Sequence, residues 1–429
     1  MQIAENKKYD WYTYYIFFYI FITPWHFSKA QLSISSSIAL IWTIFKYKKE
    51  LILKIKEYIK FLPILLMFLF FAYSYLSSLW SEPISKGFEH VTNFYKYYFM
   101  IIPILLVSLN KENAIKAFKI LIISFSLYGI YTFFIYFGIL NDNNMSFLYN
   151  DENGFNSYNP TGHLRYLIVS QYMVIAFFSG ILLSSYSKNK KEKSLFIIVS
   201  LVSFISLFIN NSRTAQLSFI VILLILIVLF FKKSIFKIKN IILISIVFIS
   251  IIYFVQGNKL ERYKTSYKEL NQAITNNTYD GSFGLRLYLT KTGLEIFSNN
   301  ILFGTGPKDN RMLLMDIARE DPHYKGAKNE KDLLNHFHSE QMDTLTAYGL
   351  VGYSLLFFSI ILLVYKLRKE PLYYYLSLSV FSTLFINSFA NKTLSVKPLN
   401  YVYMILFILF VIIAYKLEKE EKEKIENNS

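Results

Sequence analysis

Apolar runs of about 17–25 residues, the length a helix needs to cross the hydrocarbon core of a bilayer, recur along nearly the whole chain. Short polar stretches rich in lysine separate them. The runs predict helices over 11–27, 31–46, 61–80, 91–109, 115–140, 164–186, 194–210, 214–231, 239–256, 342–365, 372–390 and 398–416. The first two are short, and the fifth is long enough to tilt. The expected fold is all-α, a polytopic membrane protein with about 12 transmembrane helices.

The loops set an orientation. Lys46, Lys48, Lys49, Lys54, Lys56 and Lys60 lie between the second and third runs, and Lys111, Lys116 and Lys119 follow the fourth. Lys188, Lys190, Lys191 and Lys193 follow the sixth; Lys232, Lys233, Lys237 and Lys239 follow the eighth; Lys366, Arg368 and Lys369 follow the tenth. Positive charge marks cytoplasmic loops, and all of these share one side if both termini are cytoplasmic. Residues 81–90, 141–163, 210–213, 257–341 and 391–397 then lie outside. Lys7 and Lys8 precede the first run as in a signal peptide, but Thr23-Pro24-Trp25-His26-Phe27 is no cleavage site, so the run reads as a retained span.

The chain divides into nine spans over 1–256, a large loop over 257–341, three spans over 342–416 and a tail over 417–429. The loop reads as a polar helix near 259–276 and an amphipathic one near 283–299. A turn at Gly304, Gly306 and Pro307 and a short helix over 308–319 follow. The Lys/Glu-rich tail reads as a solvated helix end or a disordered segment. No internal repeat relates the two halves.

Composition agrees with this. The chain is 54% hydrophobic, 19% aromatic and 17% charged, and its net charge is +16. The lysines are scattered between spans rather than gathered on one domain, which argues against nucleic acid. With no cysteine, disulfides, thiolate nucleophiles and cysteine metal sites are excluded. The many Tyr and Phe residues fit lipid-facing and interfacial positions.

Candidate chemistry gathers at the end of the large loop. His336 and His338 stand there two residues apart, directly before an apolar helix. Imidazole titrates near neutral pH, so such a pair at a membrane lip is a functional candidate. On a helix this spacing points the two rings to opposite sides. No carboxylate cluster joins them, so no metal site is expected. His338, beside Ser339 at the helix N-terminus, is the better placed to stay neutral and accept a proton. His336 has the plainer reading of a loop hydrogen bond.

Cations on the outer side are unexpected and therefore informative. Arg213 opens a span, Arg286 opens the amphipathic helix, and Arg165 follows His163 after a Pro-Thr-Gly turn. Guanidinium groups bind phosphate or carboxylate bidentately, so their convergence would suit an anionic ligand such as a lipid-linked diphosphate. Snorkelling to headgroups or capping a helix is the bland alternative. Lys96, a turn or two below the outer edge, could join a phosphate site. Glu340 and Asp343 could imitate a two-carboxylate glycosidase, but the helix dipole alone favours acids there. Gly349 and Gly352 read as close helix packing.

Three separated pieces resemble the O-antigen ligases. Asn-Ser-Arg213-Thr-Ala-Gln-Leu resembles their Ser-Arg motif at the start of a span. Gly-Leu-Arg286 with Ile301-Leu302-Phe303-Gly304-Thr305-Gly306 resembles the arginine and turn of their large loop. His336-Phe337-His338-Ser339 with Leu345, Gly349 and Gly352 resembles their histidine element. The resemblance covers roughly 205–365, with Ser339 where Asn is commoner and Glu340–Gln341 in place of an aromatic or aliphatic pair.

The resemblance implies a GT-C-like, metal-independent inner-membrane glycosyltransferase that needs no cofactor and has its active site facing the periplasm. It implies an undecaprenyl-diphosphate-linked glycan donor and a lipid A-core or other glycan acceptor, with membrane lipids around it. By carry-over, Arg213 and Arg286 would hold the diphosphate and His338 would be the base. A repeat-unit polymerase of the same superfamily would show the same motifs, and a protein O-oligosaccharyltransferase would share them. A transporter or flippase is the reading from another class, but the spans are nearly charge-free at their centres.

Overall fold

The computed structural model describes residues 9–141, 154–210, 212–231, 258–321 and 336–427, and their regular structure is entirely helical. The bundle is built around its last helix. Pro398 starts it, and the following residues are apolar on every face, which is the pattern of a helix with no solvent-facing side. Residues Leu399–Ala414 are all buried, and Ile405, Leu406, Ile408 and Leu409 are fully covered.

In chain order the helices are α1 (Trp11–Ile22), α2 (Lys29–Tyr47), α3 (Lys49–Ile59), α4 (Leu62–Ser77), α5 (Ile84–Tyr95) and α6 (Tyr98–Ser108). There follow α7 (Lys111–Tyr136), α8 (Tyr166–Tyr186), α9 (Lys190–Ile209), α10 (Arg213–Phe231), α11 (Asn258–Asn276) and α12 (Gly281–Asn299). The last four are α13 (Asp309–Glu320), α14 (Glu340–Lys366), α15 (Pro371–Ser388) and the central α16 (Lys397–Glu426).

Eight segments are long and apolar enough to cross a membrane: Leu62–Trp80, Ile84–Ser108, Lys111–Tyr136, Tyr166–Tyr186, Lys190–Ile209, Arg213–Phe230, Glu340–Lys366 and Lys397–Glu426. Helices also stand at the first, second and eleventh expected spans, but α1, α2 and α15 are shorter or less apolar than these eight. The expected span at 239–256 lies outside the described residues. The loop helices α11, α12 and α13 fall where the sequence places them.

Two stretches read as loops are helical. Residues 81–90 contain the first turns of α5, where polar side chains mask the helical pattern. The lysine-rich stretch 46–60 contains α3, which turns Leu51, Ile55 and Tyr58 inward at helical spacing and leaves Lys56 out.

The lysines meet at one end of the bundle. Lys111 pairs with Glu420 at 2.7 Å, Lys366 with Glu418 at 2.8 Å, Lys419 with Glu57 at 3.3 Å, and Lys369 with Glu421. The tail thus continues α16 to Glu426. The opposite end of α14 faces the large loop, so the lysines and that loop occupy opposite ends.

Helix α14 is broken near its start. Gly349 has φ +61, outside helical backbone. The groups freed there are taken up by the segment after α12: Thr305 and Gly306 donate to the carbonyls of Thr346 and Ala347 at 2.9 and 3.0 Å. Leu350 and Val351 donate in turn to Ile301 and Leu302 at 2.8 and 3.1 Å. Interrupted helices are tolerated at membrane depth where other protein backbone satisfies them. Gly304, with φ +70, lies so close that a Cβ would meet the Ala347 carbonyl at 2.5 Å.

Candidate active site

The site begins with a buried aromatic ring. Phe337 is 1% exposed and packs with Tyr288, Leu289, Ile296, Leu314 and Met342, in a small core of the loop helices. Anchoring Phe337 fixes the histidines on either side of it. His338 takes a left-handed backbone with φ +51, and its N–H donates to His336 Nδ1 at 3.1 Å. The two rings therefore lie 3.9 Å apart between centroids. The sequence placed them on opposite sides of a helix; they precede the helix, and the turn folds them together.

Ser339 is the N-cap of α14. Its Oγ accepts from the Met342 N–H at 3.3 Å and donates to the Ser388 carbonyl at 3.1 Å. It fastens α14 to the end of α15.

Both imidazoles are held neutral. Burial, then the charges of Lys392 and the neighbouring His338, Arg311 and Arg165, drives His336 far down. Burial, then Arg286 and Lys392, brings His338 down to about 4, against an opposing pull from Asp343. His336 Nδ1 accepts a hydrogen bond, so its proton belongs on Nε2. His338 Nε2 is buried with no hydrogen-bond partner among the described residues.

Arg213 and Arg286 meet on one flank of this pair. Arg213 opens α10 and donates to the hydroxyls of Ser266 and Ser282, the latter at 3.2 Å. Arg286, on the first turns of α12, donates from Nη1 to the Ser282 carbonyl and from Nε to the Ala390 carbonyl, both at 3.2 Å. The two guanidinium groups thus share Ser282. Burial depresses the Arg286 pKa, and the Arg213 charge adds to that.

Near the same pair the structure adds two cations that the sequence does not single out. Arg311 Nε lies 3.6 Å from Asp343 Oδ1, an ion pair beyond hydrogen-bond range. Lys392 stands in the loop between α15 and α16. Burial, with Arg311 and Arg165 close by, lowers it to about 8, although Asp343 and Glu340 pull the other way. Arg165 is exposed at the start of α8 and acts on both His336 and Lys392.

Glu340 holds that loop in place. Its carboxylate accepts from the N–H of Thr393 at 3.1 Å, and from the N–H and hydroxyl of Ser395 at 3.0 and 3.1 Å. Its own N–H donates to the Asn391 carbonyl at 3.1 Å. Asn391 also donates to the Thr214 hydroxyl at 2.9 Å, tying the loop to the start of α10. Glu340 is thus more than a charge placed to suit the helix dipole.

Not every candidate joins the cluster. Lys96 is exposed, with its ammonium 5.4 Å from the Tyr97 ring. His163 Nε2 lies 2.6 Å from the Trp25 carbonyl and stacks on Phe27, holding the end of α1. Arg311 and Lys392 are also cations on the large-loop side of the sequence, but neither opens a span or the amphipathic helix, the signal that singles out Arg213 and Arg286.

Among the described residues no group of three or more His, Asp or Glu could hold a metal ion. What the arrangement offers is a neutral imidazole acted on by a guanidinium group and a half-buried ammonium. Residues 198–357 match the O-antigen ligase family. That stretch runs from within α9 into α14 and contains Arg213, Arg286, Arg311, His336 and His338. No curated protein matches the chain. A stretch that matches the O-antigen ligases, in a chain with eight helices able to span a membrane among its described residues, supports a membrane glycosyltransferase of the ligase and polymerase type.

Proposed function

We propose that this protein transfers a glycan from undecaprenyl diphosphate to a sugar hydroxyl, ligating O-antigen or a similar polysaccharide to lipid A-core at the outer face of the inner membrane. What supports the reading is that Arg213 and Arg286 share Ser282 and that the Arg286 charge acts on His338, within the stretch that matches the O-antigen ligases. In this reading both termini are cytoplasmic.

The chemistry follows from what these groups can do. Arg213 and Arg286 hold the diphosphate and stabilise the negative charge that grows as its bond to the anomeric carbon breaks. His338 takes the proton of the acceptor hydroxyl as its oxygen bonds to that carbon, worth about a hundredfold to ten-thousandfold in rate. Diphosphate is already a good leaving group, so no protein acid and no metal ion is required. A polymerase would differ only in its acceptor, a second lipid-linked unit.

The test is transfer by the full chain reconstituted in nanodiscs, with undecaprenyl-diphosphate-linked glycan as donor and lipid A-core as acceptor. His338→Ala is expected to insert and fold yet transfer nothing. Normal transfer by this variant would overturn the base assignment. Elongation of the donor in place of transfer to the core would make the protein a polymerase.

A further inference from the structure

Two groups of cations stand near the histidines. One holds Arg213 and Arg286, joined through Ser282. The other holds Arg311, Lys392 and Arg165, which act on His336 and on one another. Of the carboxylates near this second group, Glu340 is held by Thr393 and Ser395, while Asp343 lies 3.6 Å from Arg311 and accepts no hydrogen bond from a described residue. Lys392 makes no hydrogen bond or ion pair with any described residue. A half-buried ammonium that makes no hydrogen bond is costly, and with Arg311 and Arg165 beside it the cations outnumber Asp343 and Glu340, which suits an anion that arrives with a ligand.

Direct displacement at carbon puts the incoming oxygen opposite the leaving group. If the diphosphate sits on Arg213 and Arg286, the acceptor approaches His338 from the side away from that clamp, and Lys392, Arg311 and Arg165 are the other cations that act on the histidines. We infer that Lys392, with Arg311 and Arg165, forms a second anion-binding subsite for a phosphate or carboxylate carried by the acceptor near its attacking hydroxyl. This rests on the glycosyltransferase reading. It adds that the acceptor is chosen by charge as well as by its hydroxyl. Lipid A-core bearing phosphates or acidic sugars has this chemistry, and so does a second lipid-linked diphosphate unit.

The test separates the sources and does not depend on turnover. Binding of lipid A-core to the full chain in nanodiscs is measured without donor. Three forms are used: native core, core stripped of phosphate with hydrofluoric acid, and core with its carboxyl groups reduced. Loss of a charged hydrogen-bond partner is expected to weaken wild-type binding by roughly tenfold to a hundredfold in one stripped form. Lys392→Gln is expected to bind native core as weakly as that form, and Lys392→Arg to recover most of the preference. Binding of undecaprenyl diphosphate is expected to survive in Lys392→Gln and to fall in Arg213→Lys.

Equal binding of all three cores by wild type, together with intact elongation by Lys392→Gln on a lipid-linked acceptor, would overturn the subsite. So would loss of undecaprenyl diphosphate binding in Lys392→Gln, which would put Lys392 in the donor clamp. Selective loss of elongation on a lipid-linked acceptor would uphold the subsite and name the second diphosphate as its anion. If wild type transfers nothing to any acceptor yet prefers charged core, the subsite stands and the enzymatic reading falls.

Discussion

His338 is neutral because it is buried beside cations, and this fixes its pH behaviour. An ordinary histidine base loses activity below about 6.5; with a value of about 4, the acid limb of kcat/KM is expected near 4. Rate measurements between pH 4 and 8 would show a plateau down to about 5, and a limb near 6.5 would contradict the environment described. The same shift bears on stability. The unfolded chain binds a proton at this histidine as pH falls from 6.5 toward about 4, while the folded protein does not. The contribution is therefore whole above 6.5 and is lost progressively across that window. Lys392 works in the other direction: it holds its charge below about 8 and loses it above. KM for an anionic acceptor is expected to rise as pH passes 8, and the rise should shift to higher pH in Lys392→Arg. Asp343 and Glu340 face this lysine from α14, and Arg311 and Arg165 from the loop and α8. Among the site residues, Arg213, Arg286 and His338 are legible in the sequence because each stands at a helix start. The packing that brings the two rings together depends on a left-handed residue, and nothing in His-Phe-His announces that.

At the scale of elements, the interrupted helix is the feature that pattern alone could not disclose. Leu350–Val364 is an unbroken apolar run, and Gly349 with Gly352 reads equally well as close packing. The decision is made by distant backbone: a Cβ on Gly349 would meet the Leu302 carbonyl at 2.3 Å. Gly349→Ala therefore combines a disfavoured backbone, costing about 1–3 kcal/mol, with a collision that parts the two chains. Its melting temperature in detergent is expected to fall by several degrees, while Leu350→Ala, at a side chain 40% exposed, should melt as wild type. Equal melting of the two variants would remove the break from the list of structural supports. Helix α3 escapes the apolar pattern for the opposite reason: six lysines within residues 46–60 read as a loop, yet Lys49, Lys54 and Lys56 lie within the helix and Lys48 and Lys60 cap its ends.

For the whole molecule, the lysine-rich loops and the end of α16 are joined by ion pairs whose side chains remain largely in contact with solvent. Exposed pairs contribute about 0–1 kcal/mol each. Truncation after Leu417 removes Glu418, Lys419, Glu420 and Glu421, and with them four pairs, and is expected to cost at most about 4 kcal/mol. Transfer activity, assayed in membranes, should be retained; its loss would show that this end does more than trim the bundle. The alternation of lysine-rich and lysine-poor loops made this arrangement readable from the outset, because charge placement is a property of the sequence.

The strap that Glu340 makes across residues 391–395 has one more effect. The same loop offers the Ala390 carbonyl to Arg286 just before the strap and carries Lys392 within it. Two handles mounted on a single bracket cannot be adjusted one at a time. A tilt of that bracket when one substrate docks is felt by the other, so each should alter the other's affinity by the same factor.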